Sequence, residues 1–174
     1  ACTIDAIPLW LLIDRRAFLD TAEQAELMRR LAAATATKNV ASRLFSGAAQ
    51  LQLAQLGDLE GALRDAQAAV RLTPGSNTAA DQLERSLISM GRVSEVVALH
   101  RNRVPHIEDP DELAECLSRL ALVEERLEGN REAAKLSLTR ALVLRPTDSL
   151  FRLRLAHLER DSGRGAAAIP LLEH

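Results

Sequence analysis

Four histidines and two cysteines are the side chains best suited to hold a metal or form a covalent intermediate, and their spacing favours neither. His100 and His106 stand six residues apart, which puts them on opposite sides of a helix, so they cannot share an ion there. His157 stands alone. His174 closes the chain in Leu172-Glu173-His174, which reads as the start of a vector-encoded polyhistidine tag on a piece of a longer protein. The other imidazoles read as surface or half-buried groups. Cys116 shares a helical stretch with Leu113, Leu117 and Leu120 and reads as a buried, inert thiol. Cys2 and Cys116 are far apart and in no metal or redox spacing, which leaves a reducing, cytoplasmic compartment as the default. Gly163-Arg164-Gly165 lacks the Lys-Ser/Thr that a phosphate loop needs. Glu124, Glu125 and Glu128 read as a solvated helix face, and Trp10 among Leu9, Leu12 and Ile13 as core or end cap. The expectation is no enzyme: no catalytic residue, no metal and no cofactor.

The bulk properties exclude further classes. Net charge is −2 with both signs interspersed, and aromatic residues are 2% with no Tyr. Neither counterion release nor base stacking on nucleic acid is served by that composition. The longest apolar run, Ile7 to Ile13, is broken by Pro8 and ended by Asp14, so no segment suits membrane insertion. No basic stretch precedes it and no small-residue cleavage site follows, so it reads as structure and not as a leader.

The elements that must position these residues show themselves in a repeat. The step from Gly57 to Gly91 equals that from Gly129 to Gly163, and the step between Gly91 and Gly129 is one helical turn longer. After Gly57 come Ala62, Ala69 and Pro74; after Gly129, at the same offsets, come Ala134, Ala141 and Pro146. One short and one long repeat together therefore make a superperiod, which carries Gly57 onto Gly129 and Gly91 onto Gly163. A glycine in the left-handed conformation ends a first helix. The two alanines, seven residues apart, lie on one face of a second helix and allow close approach. Proline closes the unit because it cannot continue that helix.

Arg43 to Pro74 and Glu115 to Pro146 resemble the tetratricopeptide repeat in the glycine, both alanines and the final proline. Asn77 to Glu108 departs from it, with Val96 and Arg103 at the alanine sites and no closing proline at the usual place. The family's large aromatic in the first helix is absent throughout, and the alternating lengths are similar to long repeat proteins of some bacteria. The resemblance implies an all-α, TPR-like, right-handed superhelical solenoid of about five antiparallel helix pairs. The units fall at about 1–38 (degenerate), 39–76, 77–109, 110–148 and 149–174 (truncated), in one domain. Helices are expected over about 8–18, 21–36, 39–56, 59–72, 77–90, 93–106, 111–128, 131–144, 149–162 and 165–172. Asp20 or Thr21 with Glu23 or Gln24 can form a capping box, Gly61 implies close packing, and Pro170 sits badly in the last helix.

In this family the first helix of each pair lines a concave groove where ligands bind. By family register the groove positions are Leu44, Gly47, Leu51 and Ala54, then Thr78, Asp81, Arg85 and Ile88. Cys116, Arg119, Val123 and Arg126 follow, although Leu117, Leu120 and Leu127 point to a slightly different apolar face. Leu150, Leu153, His157 and Arg160 complete the set. The family's carboxylate clamp of Lys, Asn and Arg is missing. The expected partner is a protein or an acidic peptide held at Arg85, Arg119, Arg126, His157 and Arg160, with no nucleic acid. Two alternatives stand beside this scaffold: an assembly element acting through its ends or convex face, and a helical-repeat RNA binder. The apolar ends, Ile7 to Ile13 and Ala167 to Leu172, imply that repeats continue beyond the chain and that copies self-associate through terminal helices.

Overall fold

The computed structural model describes residues 19–163 and 168–169. Among them lie eight helices and no strand. The chain divides into two compact units, 1–91 and 92–174. The first holds α1 (Thr21–Ala34), α2 (Lys38–Leu51, continued by a π-helical turn over Gln52–Leu56), α3 (Leu59–Leu72) and α4 (Asn77–Ser89). The second holds α5 (Val93–Arg103, continued as a 3-10 turn over Val104–His106), α6 (Pro110–Glu128), α7 (Arg131–Leu144) and α8 (Ser149–Asp161). Within each unit successive helices pack in antiparallel pairs, and the fold is TPR-like. Each helical segment of the second unit starts and ends one superperiod after its counterpart in the first. The helix expected at 8–18 lies outside the described residues. So does most of that at 165–172, including Pro170, of which only Ala168 and Ile169 are described, both helical. The apolar ends proposed for self-association fall outside with them.

The boundaries have local causes. Gly57, Gly91, Gly129 and Gly163 all take positive φ, from 65° to 76°, and no other described residue type does. Behind Gly57 the Asp58 N–H donates to the Gln52 carbonyl at 3.0 Å; behind Gly129 the Asn130 N–H donates to that of Glu124 at 2.9 Å. Each bond spans seven residues, one more than the six-to-one bond of a Schellman closure, with the left-handed glycine just before its donor. The side chains of Asp58 and Asn130 then accept from the N–H groups of Gly61 and Ala133, so one residue ends a helix and starts the next. Asp20 and Glu23 form the capping box at α1, each accepting the other's backbone N–H, at 2.8 and 3.0 Å. Gly61 is tightly enclosed as expected: a Cβ there would run into the Asp58 carboxylate and come within 2.7 Å of the Gln52 carboxamide.

The repeat alanines carry the packing. Ala62, Ala69, Ala134 and Ala141 are completely buried. In the divergent repeat the same positions, Val96 and Arg103, are buried too, and Ala168 is buried at the corresponding place after Gly163. The position is fixed by geometry even where the residue type drifts. Ala69→Leu and Ala141→Leu are each expected to lower unfolding stability by about 1–3 kcal/mol, since the added volume must push whole helices apart. Urea titration of the two variants checks this, and an unmoved midpoint would refute the packing assigned to these positions.

Candidate functional site

The surface in question in the second unit is built on α6 and α8, the first helices of their pairs. The 19-residue α6 packs against both α5 and α7, so much of its circumference is covered. One exposed stripe runs through Glu112, Glu115, Arg119 and Arg126, with Leu122 half-buried between the arginines. The spacing of three and four residues keeps this stripe on one side. On α8 the exposed positions are Leu150, Leu153, His157 and Arg160. Arg160 Nη2 lies 2.9 Å from His157 Nδ1, and its Nε is 3.3 Å from the Asp161 carboxylate. Arg85 is exposed on α4 of the first unit, with Thr78, Asp81 and Ile88.

All five expected site residues are thus solvent-facing, but the register on α6 needs correction. Cys116 and Val123 are 3% and 5% exposed and cannot contact a ligand. They turn inward because α6 buries both flanks of its apolar arc, including Leu117 and Leu120. Burial pushes the Cys116 thiol up, with Arg103 nearby pulling the other way, which fits an inert cysteine. Two further expectations fail on burial. His100 is fully buried, not superficial. Glu124 is no part of a solvated face: it is 3% exposed and held from two sides. Arg101 of α5 donates to its Oε1 at 2.9 Å, Ser137 of α7 donates to its Oε2 at 2.8 Å, and Arg101 also reaches Glu128.

Periodicity did not single out Arg154, which joins the two helices of this surface. Its Nη1 donates to the Ser118 hydroxyl at 2.7 Å and to the Ser118 carbonyl at 3.2 Å. Burial lowers its pKa, with Glu125 opposing that shift and Arg126 adding to it. The signal in the sequence was its position three residues before His157. At the other end of α6 a shallow open depression of about 570 Å³ is lined by Glu125, Arg126, Gly129, Asn130, Arg131 and Glu132. Among the described residues no three His, Cys, Asp or Glu side chains gather as a metal-binding group. No described helix is long and apolar enough to cross a membrane.

No protein-family model matches the chain, and no curated protein does either. Solved structures do. A crystal structure of MamA is similar over 92% of this chain and 89% of its own, at 12% identity and a TM-score of 0.61. BtubC (BKLC) from P. vanneervenii is similar over 91% of this chain and 73% of its own, at 13% identity and a TM-score of 0.62. MamA 41-end from Desulfovibrio magneticus RS-1 is similar over 88% and 92%, at 15% identity and a TM-score of 0.53. At these identities the likeness is one of fold, and that fold is TPR-like.

Two buried polar groups in the framework behind these surfaces give testable consequences. In the first unit Asp65 is buried on α3, 3.7 Å from Arg29. Burial raises its pKa, while Arg29 and Arg64 act to lower it. A raised carboxyl pKa means that folding is penalised once pH exceeds the unfolded value of ~3.9, and not below it. Asp65→Asn should therefore raise the thermal midpoint at pH 7 and lose that advantage as pH falls toward ~4. A difference independent of pH would show that charge burial is not the cause. In the second unit Lys135, 7% exposed at its side chain, is 3.2 Å from Glu132 and from Glu159 of α8. One superperiod earlier, the positions of Lys135 and Glu159 are held by the buried Leu63 and Leu87. Lys135→Leu alone should cost about 1–3 kcal/mol, by taking one cation from the half-buried Glu159, and adding Glu159→Leu should recover most of it. A double variant no more stable than the single one would contradict that account.

Proposed function

We propose that the chain is a protein-interaction scaffold, and that the face of α6 and α8 receives an acidic, extended segment of a partner protein. The observation that carries this reading is the common exposure of Arg119, Arg126, His157 and Arg160 on the first helices of one unit. Arg119 and Arg126 are two turns apart on one stripe, matched to an extended acidic segment lying along the helix. Leu150 and Leu153, 59% and 45% exposed on the same face of α8, supply apolar area beside the charges. The Arg154–Ser118 contact fixes the spacing of the two helices, so the surface is organised before a partner arrives. Arg85 with Ile88 is the corresponding face of the first unit and extends the same chemistry to it.

The test is charge reversal. A partner recovered with the wild-type chain should bind Arg119→Glu/Arg126→Glu at least about tenfold more weakly. Its affinity should also depend less steeply on salt, because the attraction that salt screens has been removed. Unaltered affinity and salt dependence would place the interface on another face.

A further inference from the structure

We propose a second interaction surface, distinct from the first-helix face: the solvent face of α7, which fits a partner helix carrying two apolar residues with a carboxylate between them. Leu136 and Val143 are 64% and 74% exposed, more than any other large apolar side chain described. They are seven residues apart, two turns of one helix, and therefore point the same way. Arg140 stands exposed between them and takes part in no ion pair among the described residues. The neighbouring Thr139 hydroxyl is already spent on the Lys135 carbonyl at 2.9 Å.

The molecule contains its own control. One superperiod earlier, on α3, the positions of Leu136, Arg140 and Val143 hold Arg64, Ala68 and Arg71. The two arginines there are exposed, so the helix itself does not call for apolar side chains at these sites. The polarity of the face is inverted between otherwise matching helices, from basic–small–basic to apolar–basic–apolar.

The cation decides the occupant. Whatever covers Leu136 and Val143 passes over Arg140 and either strips it of water or gives it a carboxylate. A second copy of α7 laid antiparallel brings Leu136 opposite Val143 but sets Arg140 against its own copy, a like-charge contact. A separate helix with apolar residues two turns apart and Asp or Glu midway satisfies all three side chains.

The probe is a short helical peptide with Leu two turns apart and Glu midway, beside the same peptide with Lys in place of Glu. Binding is read by amide chemical shifts of the full chain. Shifts should fall on α7, and the Glu peptide should bind about tenfold more tightly than the Lys peptide. Leu136→Arg/Val143→Arg, which installs the residues of the earlier repeat, should abolish binding with the melting curve retained. Arg140→Glu should invert the peptide preference, and this single variant decides the matter if the double one fails to fold. Arg119→Glu/Arg126→Glu should leave binding intact, which separates this surface from the first. Equal affinity for the two peptides, shifts on α6 and α8 instead, or a dimer lost in Leu136→Arg/Val143→Arg would each overturn the proposal.

Discussion

Close approach of helices at buried alanine is the constraint on which the rest of this structure depends. Ala62, Ala69, Ala134 and Ala141 have no exposed surface, and the first unit adds Ala48, Ala49, Ala66, Ala79 and Ala80, equally covered. Alanine contributes little apolar area, so stability must come from the larger side chains that the approach brings within reach, such as Leu83, Leu87, Leu117, Leu138 and Phe151. The spacing also brings polar groups together from helices distant in sequence. Arg101 meets Glu124 across 23 residues, and Ser118 meets Arg154 across 36. Neither contact is available until the helices are already near.

The two units show which parts of such a framework are free to change. Helix boundaries recur at the superperiod throughout, yet the buried polar contacts do not recur unchanged. Arg29 and Arg101 occupy equivalent positions, and each faces a buried carboxylate on a following helix. In the first unit that carboxylate is Asp65 on α3, with Gln52 on α2; in the second it is Glu124 on α6, with Ser137 on α7. The acid has moved to the other helix while the cation has stayed. Leu63 with Leu87 likewise becomes Lys135 with Glu159. A buried ion pair seldom outweighs the apolar contact it replaces, so these exchanges conserve shape more than they add stability.

This pattern explains how much was legible from the sequence. The helices at 59–72 and 131–144 have the bounds that Gly and Pro punctuation gives, and the other described helices differ by three residues or fewer, or end in a π or 3-10 turn. Turn chemistry is local, so a single sequence displays it. Arg85, Arg119, Arg126, His157 and Arg160, placed outward by the register of the family resemblance, are exposed. Periodicity failed where a polar side chain was buried. Glu124 beside Glu125 reads as a charged surface until Arg101 and Ser137 arrive from other helices. The family register misplaced Cys116, whose apolar neighbours had marked it as buried, and Val123, and the surface reading misplaced His100, because α5 and α6 are covered on more sides than an amphipathic stripe implies. Alignment at the superperiod carried the missing signal, since Glu124 falls on Gln52 and Arg101 on Arg29.

A helical-repeat framework of this kind treats its buried and exposed positions differently. Positions at fixed offsets from each glycine must fit neighbouring helices, and there volume is held within narrow limits. Exposed positions obey no such limit, and matching helices differ freely there. Arg64 and Arg71 on α3 keep a second helix wet; Leu136 and Val143 on α7 put apolar surface into solvent at the same places. The matching helix of the first unit carries charge at both positions within the same chain. On the proposal made above, the exposure of Leu136 and Val143 beside an arginine serves a contact with something outside the fold. The same logic applies to Leu150 and Leu153 on α8, so the second unit presents apolar side chains next to cations on both its first and second helices. If both proposed faces are used, two faces of one small unit engage separate segments at once, and joining two weak contacts on a rigid body raises overall affinity without demanding that either be strong.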